Sequence, residues 1–287
     1  MNKKRKLLLI AVEIIILFGL MYYNKNRSIS FKWNPNLVLS SKHFEIHSTS
    51  SEENTKATLN RAELLYKAYT DFFGESVSFR KSAGKYESWL FGTRSEMRET
   101  LKMGGWAEAF YFNGRCYQYI NADEKNPYHW FLHETTHQLN ALYSGFILRR
   151  WSSEALANYF GTSESDSNKV YLGKIDLRTY PVWWFNSENI KSQSLIPLRA
   201  IITEENGPPR NKYFNLYYIH WWTLGHFLVH YNNGKYKMSF IELLKNGDDL
   251  SNFEKYIGKV EEVQRQWYEY MEKVLLPLVE SARKLTK

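Results

Sequence analysis

The chain has 287 residues, 44% of them hydrophobic, 24% charged and 17% aromatic, enough for one sizeable domain or two small ones. A lone cysteine, Cys116, excludes an internal disulfide and a cysteine-rich zinc cluster, so a bound metal would have to rely on histidine and carboxylate. The net charge of +8 sits largely at the start, where Lys3, Lys4, Arg5, Lys6, Lys25 and Arg27 face Glu13 alone; the nearly neutral body has no basic stripe, which argues against nucleic acid as a partner.

The basic cluster abuts an apolar stretch from Leu7 to Tyr23, interrupted by Glu13. Its length is at the short end of the membrane-spanning range. Leu20, Met21, Tyr22 and Tyr23 are too large for a signal-peptidase site, so the expectation is an uncleaved signal anchor within residues 1–30, with a cleaved signal as the alternative. Basic residues stay cytoplasmic, which would make this a single-pass membrane protein with residues 31–287 outside the cytoplasm.

Residues 31–125 read as an α+β unit. Residues 24–42 look like a polar linker, and HFEIHS (43–48) alternates like a strand. Ser51 opens a helix that Gly74 stops after Phe73, with Ala62, Leu65, Ala68 and Tyr69 on one side. YESWLFG (86–92) reads as a strand, and Thr93 or Ser95 caps a short helix to about Met103. AFYFNGRCYQYI (109–120) is a hairpin around Asn113-Gly114.

Residues 126–287 read as mainly helical. Asn126 and Pro127 start a helix that Ser144-Gly145 ends after Tyr143. FILRRW is a short connector, Ser152 or Ser153 caps the next helix, and Gly161 closes it. Residues 162–212 are mixed and loop-rich. Helices follow over about 213–231, 236–246, 249–257 and 260–285, the last kinked at Pro277. The fold class is therefore α+β, a mixed sheet followed by a helical half, with one chemically suggestive helix between them.

That helix contains WFLHETTHQL (130–139). His133 and His137 are four apart and stack on one helix face, close enough to share an ion. Glu134 leans over the open side of such an ion, where a base is needed to take a proton from a metal-bound water. The neighbours Thr135, Thr136 and Gln138 are uncharged. The next glutamate downstream is Glu154, in the first turn of the following helix, which a short connector returns beside the first. Two histidines, one glutamate and a water form a catalytic zinc set rather than a closed structural one. Glu154 could alternatively be a glutamate favoured by the helix dipole. Asn158, one turn on, could bond a ligand or simply sit on the helix surface.

HETTH followed by WSSEALANYF resembles the gluzincin metallopeptidases, the thermolysin-like zincins whose third ligand is glutamate, and most of all the bacterial peptidase MA-like domains. A preceding FEIHSTS strand, the helix AELLYKAYTDFFG and a late Tyr-x-x-x-Trp helix extend the resemblance over roughly 43–275. It implies a zincin-like fold, one Zn2+ on His133, His137 and Glu154, Glu134 as general base, and a peptide or protein substrate. Many relatives have Glu-Gly-Leu/Phe-Ala at the third ligand where this chain has Glu154-Ala155-Leu156-Ala157, and the spacing to Glu154 is a little shorter than in thermolysin. The late helix LYYIHWWTLGHFL suggests Tyr218 as oxyanion donor, then Tyr217 or His220; packing tyrosines are the competing reading. Substrate would pair with an edge strand, for which RCYQYI (115–120) is the candidate.

The other histidines read as structural. His129 also lies four before His133, but an ion is served by a pair. His226 and His230 repeat the spacing without an adjacent acid, and His43 and His47 share a strand face. The functional expectation is a membrane-anchored zinc metallopeptidase. The alternatives are a non-catalytic zinc protein binding peptide or cell-wall material, and a structural anchor protein with a chance motif.

Overall fold

The computed structural model describes residues 33–285 except 83, 103–107, 122, 123, 125 and 192–194. It is an α+β structure, with a five-stranded mixed sheet in the first half and a mostly helical second half. The strands are β1 (Leu37–Ser40), β2 (Phe44–Ser48), β3 (Tyr86–Phe91), β4 (Ala109–Phe112) and β5 (Arg115–Tyr119), arranged β1-β2-β3-β5-β4. The central pairs β2/β3 and β3/β5 are parallel; both outer pairs are antiparallel.

Helix α1 (Glu52–Phe73) follows β2 directly. Ser51 caps it by accepting from the Asn54 N–H, and Gly74, at φ 50°, ends it where a side chain would be strained. Its Leu65, Tyr69 and Phe72 bury against Phe44 and Ile46 of β2, and this core continues without a break to Leu224 and Trp267 among the last helices. A smaller cluster of Phe91, Met97, Leu101 and Tyr117 joins α2 (Arg94–Leu101) to the sheet. Asn113 and Gly114, at φ 50° and 82°, make the tight turn expected of their sequence.

Two strand expectations change. Leu37–Ser40 lie in the segment read as linker, yet they pair with β2 in register from Leu37↔Ser48 to Ser40↔Glu45. The run 115–120 is not an edge. β5 lies between β3 and β4, and β4 is the outermost strand, because β5 has parallel bonds to β3 on one side and hairpin bonds to β4 on the other.

Helix α3 (His129–Gln138) runs on through a π turn (Leu139–Ser144) to Gly145, at φ 69°. It is moored to the sheet by Gln138, whose Nε2 donates to the Glu87 and Gly114 carbonyls at 2.9 and 2.8 Å. Helix α4 (Arg150–Gly161) packs beside it, and the loop-rich stretch after it holds the hairpin β6 (Ser163–Ser165) and β7 (Val170–Ile175), which lacked a clear strand pattern. Two short helices, α5 (Ser187–Lys191) and α6 (Leu198–Thr203), lead to α7 (Phe214–Gly234), whose regular geometry breaks at Tyr231. α7 lies closely on α4: a Cβ on Gly225 would sit 2.7 Å from the Ala155 carbonyl oxygen. Helices α8 (Lys237–Asn246), α9 (Leu250–Tyr256), α10 (Val260–Tyr270) and α11 (Leu276–Leu285) complete the chain. The irregularity foreseen at Pro277 is a π turn over Met271–Leu275, just before it.

The single-pass anchor does not carry forward. Among the described residues no helix is long and apolar enough to cross a membrane. The physical reason is plain in the longest two: α1 is amphipathic and charged, and α7 carries three histidines and breaks near its end. The stretch from Leu7 to Tyr23 lies outside the described residues. The membrane assignment and the placement outside the cytoplasm are therefore withdrawn.

Candidate metal centre

The tight packing of α3 and α4 brings the three expected ligands together. Gly161 permits it, since a Cβ there would lie 3.1 Å from His133 Cβ and 3.2 Å from the His129 carbonyl oxygen. His133 Nε2 lies 3.1 Å from His137 Nε2 and 3.3 Å from Glu154 Oε2, and His137 Nε2 lies 3.8 Å from Glu154 Oε1. One ligand atom from each residue falls within 4.8 Å of the others.

The start of α4 differs from expectation, and the difference matters. Neither serine caps the helix, which begins at Arg150 after an extended Arg149 whose N–H donates to Asp248 Oδ2 at 2.8 Å. Glu154 therefore sits a full turn into the helix. Ser152 bonds the Asp248 carboxylate, and Ser153 Oγ meets His137 Nδ1 at 3.0 Å. A proton on Nδ1 donated to that hydroxyl leaves Nε2 a bare lone pair facing Glu154. Ser153 is thus a site residue that sequence reasoning took for a cap; its place beside Glu154 was the available signal.

The electrostatics suit a cation. Glu154 Oε2 is buried and accepts no well-aligned hydrogen bond, an orphaned acceptor that a metal ion would satisfy. Burial would raise the Glu154 carboxyl, but His133, His137 and the more distant Arg150 guanidinium hold it below its ordinary value. Burial would lower His133, but Glu154 and Glu134 hold it above. His137 is pushed down to about 4 by burial, against the pull of Glu154, and is neutral as a ligand must be. Two imidazole nitrogens and one carboxylate, with room beside them, match a zinc site that keeps an open position.

Glu134 is 8% exposed and lines the same cleft. Burial pushes its carboxyl up to about 7; His133 opposes the rise, Glu154 adds to it, and the Tyr111 main-chain N–H of β4 opposes it. The cleft, about 500 Å3, is bounded by β4 at Ala109, Phe110 and Tyr111, and by Phe146, Leu148 and Tyr218. Tyr218 stacks on His133 with ring centroids 6.3 Å apart. Burial raises its hydroxyl well above the ordinary range, the Glu154, Glu134 and Tyr180 charges add to this, and Arg150 opposes it.

The other candidates lie elsewhere. Tyr217 donates to the Pro208 carbonyl at 2.9 Å, away from the cleft. His220 is fully buried; its Nδ1 donates to the Leu216 carbonyl and its Nε2 accepts from the Ile196 N–H. Asn158 donates to the main-chain carbonyl of Glu154 at 2.7 Å, so it holds the helix rather than a ligand side chain. His129 Nδ1 bonds the Asn126 carbonyl at 2.9 Å. Cys116 is buried beneath α3, and burial pushes its thiol up. A larger cavity, about 910 Å3, lies on the far side of α4 near Tyr159 and His230, apart from the three ligands.

No protein-family model matches the sequence, and neither does any curated protein. The functional reading therefore stands on the arrangement of these side chains.

Proposed function

We propose that the chain is a zinc-dependent metallopeptidase of gluzincin type, with a zincin-like fold in which α3 and α4 carry the metal and β4 borders the substrate cleft. The observation that carries this reading is the convergence of His133, His137 and Glu154 on one point, with the orphaned Glu154 oxygen among them and Glu134 on the wall of the same cleft. A zinc ion held by the three would supply Lewis-acid polarisation of the scissile carbonyl and acidify the attacking water.

The chain's own groups then divide the work. Glu134, as carboxylate, accepts a proton from the water as its oxygen bonds to the carbonyl carbon. It returns that proton to the amide nitrogen as the carbon–nitrogen bond breaks, leaving a carboxylic acid and an amine. Tyr218 donates its hydroxyl proton in a hydrogen bond to the oxyanion; its raised pKa keeps that proton in place at neutral pH. Ser153 holds His137 through Nδ1. Among the described residues β4 ends the sheet on the cleft side, and an extended peptide can lie along its outer edge.

The test is zinc stoichiometry on the purified chain, with Glu154→Ala as comparison, followed by digestion of a peptide library. One ion per chain that Glu154→Ala loses, together with zinc-dependent cleavage, is the expected result. A folded chain that takes up no zinc, or a zinc-loaded chain that leaves every peptide intact, would overturn the reading.

A further inference from the structure

The cavity of about 910 Å3 near Tyr159 and His230 is larger than the metal cleft, and its size is that of a small-molecule site, roughly 300–1,000 Å3. It is enclosed by α1, by α4 at Tyr159, by the β6–β7 hairpin, and by the stretch where α7 breaks and α8 begins. Gly173, at φ 80°, lets β7 pass closely over His230, since a Cβ there would lie 2.4 Å from His230 Nε2. Much of the wall is apolar, supplied by Leu64, Phe72, Val170, Leu172 and Val229.

The charges in this cavity leave one sign to spare. Asp71 is the only acid lining it among the described residues, and Lys67 holds Asp71 at 2.7 Å. Lys237 lines the cavity and is half-buried, with its ammonium 4.8 Å from the centre of the Phe72 ring. Its side chain makes no ion pair or hydrogen bond among the described residues. The ring face attracts the charge but leaves the ammonium its N–H donors. Lys169, at the exposed rim, has its ammonium over Tyr171 rather than on an acid. Helix α8 adds to the same sign: Lys237 is its first residue, no side chain caps it, and no acid stands in its first turn. A half-buried ammonium matches one negative charge, and the apolar wall beside it is covered from water only by a hydrocarbon body.

We propose that this cavity binds a small carboxylic acid with an apolar body, its carboxylate on Lys237 and its hydrocarbon against Phe72, Leu172 and Val229. The site is separate from the metal ligands and does not rest on the peptidase reading.

The experiment titrates the full chain calorimetrically with octanoate below its micellar concentration, and with octanol and acetate as its uncharged and tail-less counterparts. Octanoate binds at one per chain and about tenfold tighter than octanol, and acetate shows no binding. Lys237→Met keeps an apolar stem and removes the charge, which brings octanoate down to the affinity of octanol; Lys237→Arg restores the preference. A carboxylate can also sit on a metal, so the titration is repeated on Glu154→Ala, where octanoate affinity is unchanged, and on Leu64→Trp, where the filled cavity weakens it about tenfold or more. No binding of octanoate, equal binding of octanol or acetate, or a preference that survives Lys237→Met overturns the proposal. Binding lost in Glu154→Ala, or kept at full strength in Leu64→Trp, overturns it as well.

Discussion

Two histidine pairs share the same four-residue spacing on buried helices: His133 with His137 on α3, and His226 with His230 on α7. Their rings lie at similar separations, 4.8 and 4.4 Å between centroids. Their surroundings differ. The first pair faces a carboxylate from the next helix, and Ser153 takes up the outward nitrogen of His137. In the second pair His226 Nδ1 meets the Tyr270 hydroxyl and His230 Nε2 meets the Tyr159 hydroxyl, each at 2.9 Å. A cation at the second pair would find no acid among the partners of its rings. The titration behaviour follows: Glu154 and Glu134 hold His133 above its ordinary value against burial, whereas burial, aided by His230, pushes His226 down to about 3. The spacing is a local property that any helix supplies; the third ligand is what makes a metal site of it.

The largest expected effect isolates what Glu134 adds to the first pair. Glu134→Gln keeps zinc at one ion per chain and lowers kcat/KM on a cleaved peptide by about 10³-fold, within the range for loss of a general base. Hydrolysis at the original rate would remove the residue from the chemistry.

The comparison itself breaks or holds on a pair of alanine variants. His137→Ala abolishes stoichiometric zinc uptake, measured by metal analysis after dialysis, while His230→Ala retains it. Zinc lost equally from both variants would mean that the two pairs do not differ as described. A finer cut is Ser153→Ala, which keeps all three ligands but frees His137 Nδ1. Competition with a chelator should show zinc bound about tenfold more weakly, the low end for loss of an outer partner. Unchanged affinity would leave Ser153 as a packing residue.

The smallest effect concerns stability. His220 and His226 are buried and neutral, with pKa values near about 4 and about 3 in the fold, pushed there by burial. The unfolded chain titrates near 6.5. Between those values the unfolded state binds protons that the folded state refuses. Stability is therefore complete above about pH 6.5 and falls as pH drops toward 4, at up to about 1.4 kcal/mol per pH unit for each histidine. Urea denaturation at pH 7 and pH 5 measures the slope, and His226→Gln flattens it. A slope unaltered by His226→Gln would show that this ring is solvated in the fold.

Much of this was legible in the residues. Ser51 and Gly74 delimit α1, Asn113-Gly114 makes the hairpin turn, and His133, His137 and Glu154 meet as their spacing suggested. Each of these is carried by neighbours within a turn or two, or by a connector too short to allow another path. Other features depended on partners far away in the chain. Leu37–Ser40 became a strand because β2 offered an open edge, and the run 115–120 lost its edge position because β3 claimed its other side. Helix α4 began early because Asp248, nearly a hundred residues on, holds the Arg149 N–H and takes the Ser152 hydroxyl, one of the two serines that local reasoning had offered as a cap.

The residues alone determined the chemistry on offer: which side chains could ligate, which could move a proton, and how helix periodicity would space them. Tertiary structure decided which were spent on one another. Tyr218, Tyr217 and His220 are neighbours on one helix, and only the rotation of α7 against α4, set by the close contact at Gly225, turns Tyr218 to the cleft while Tyr217 reaches Pro208 and His220 sinks into the core. Helical spacing fixes relative direction within an element; the absolute direction comes from what the element packs against.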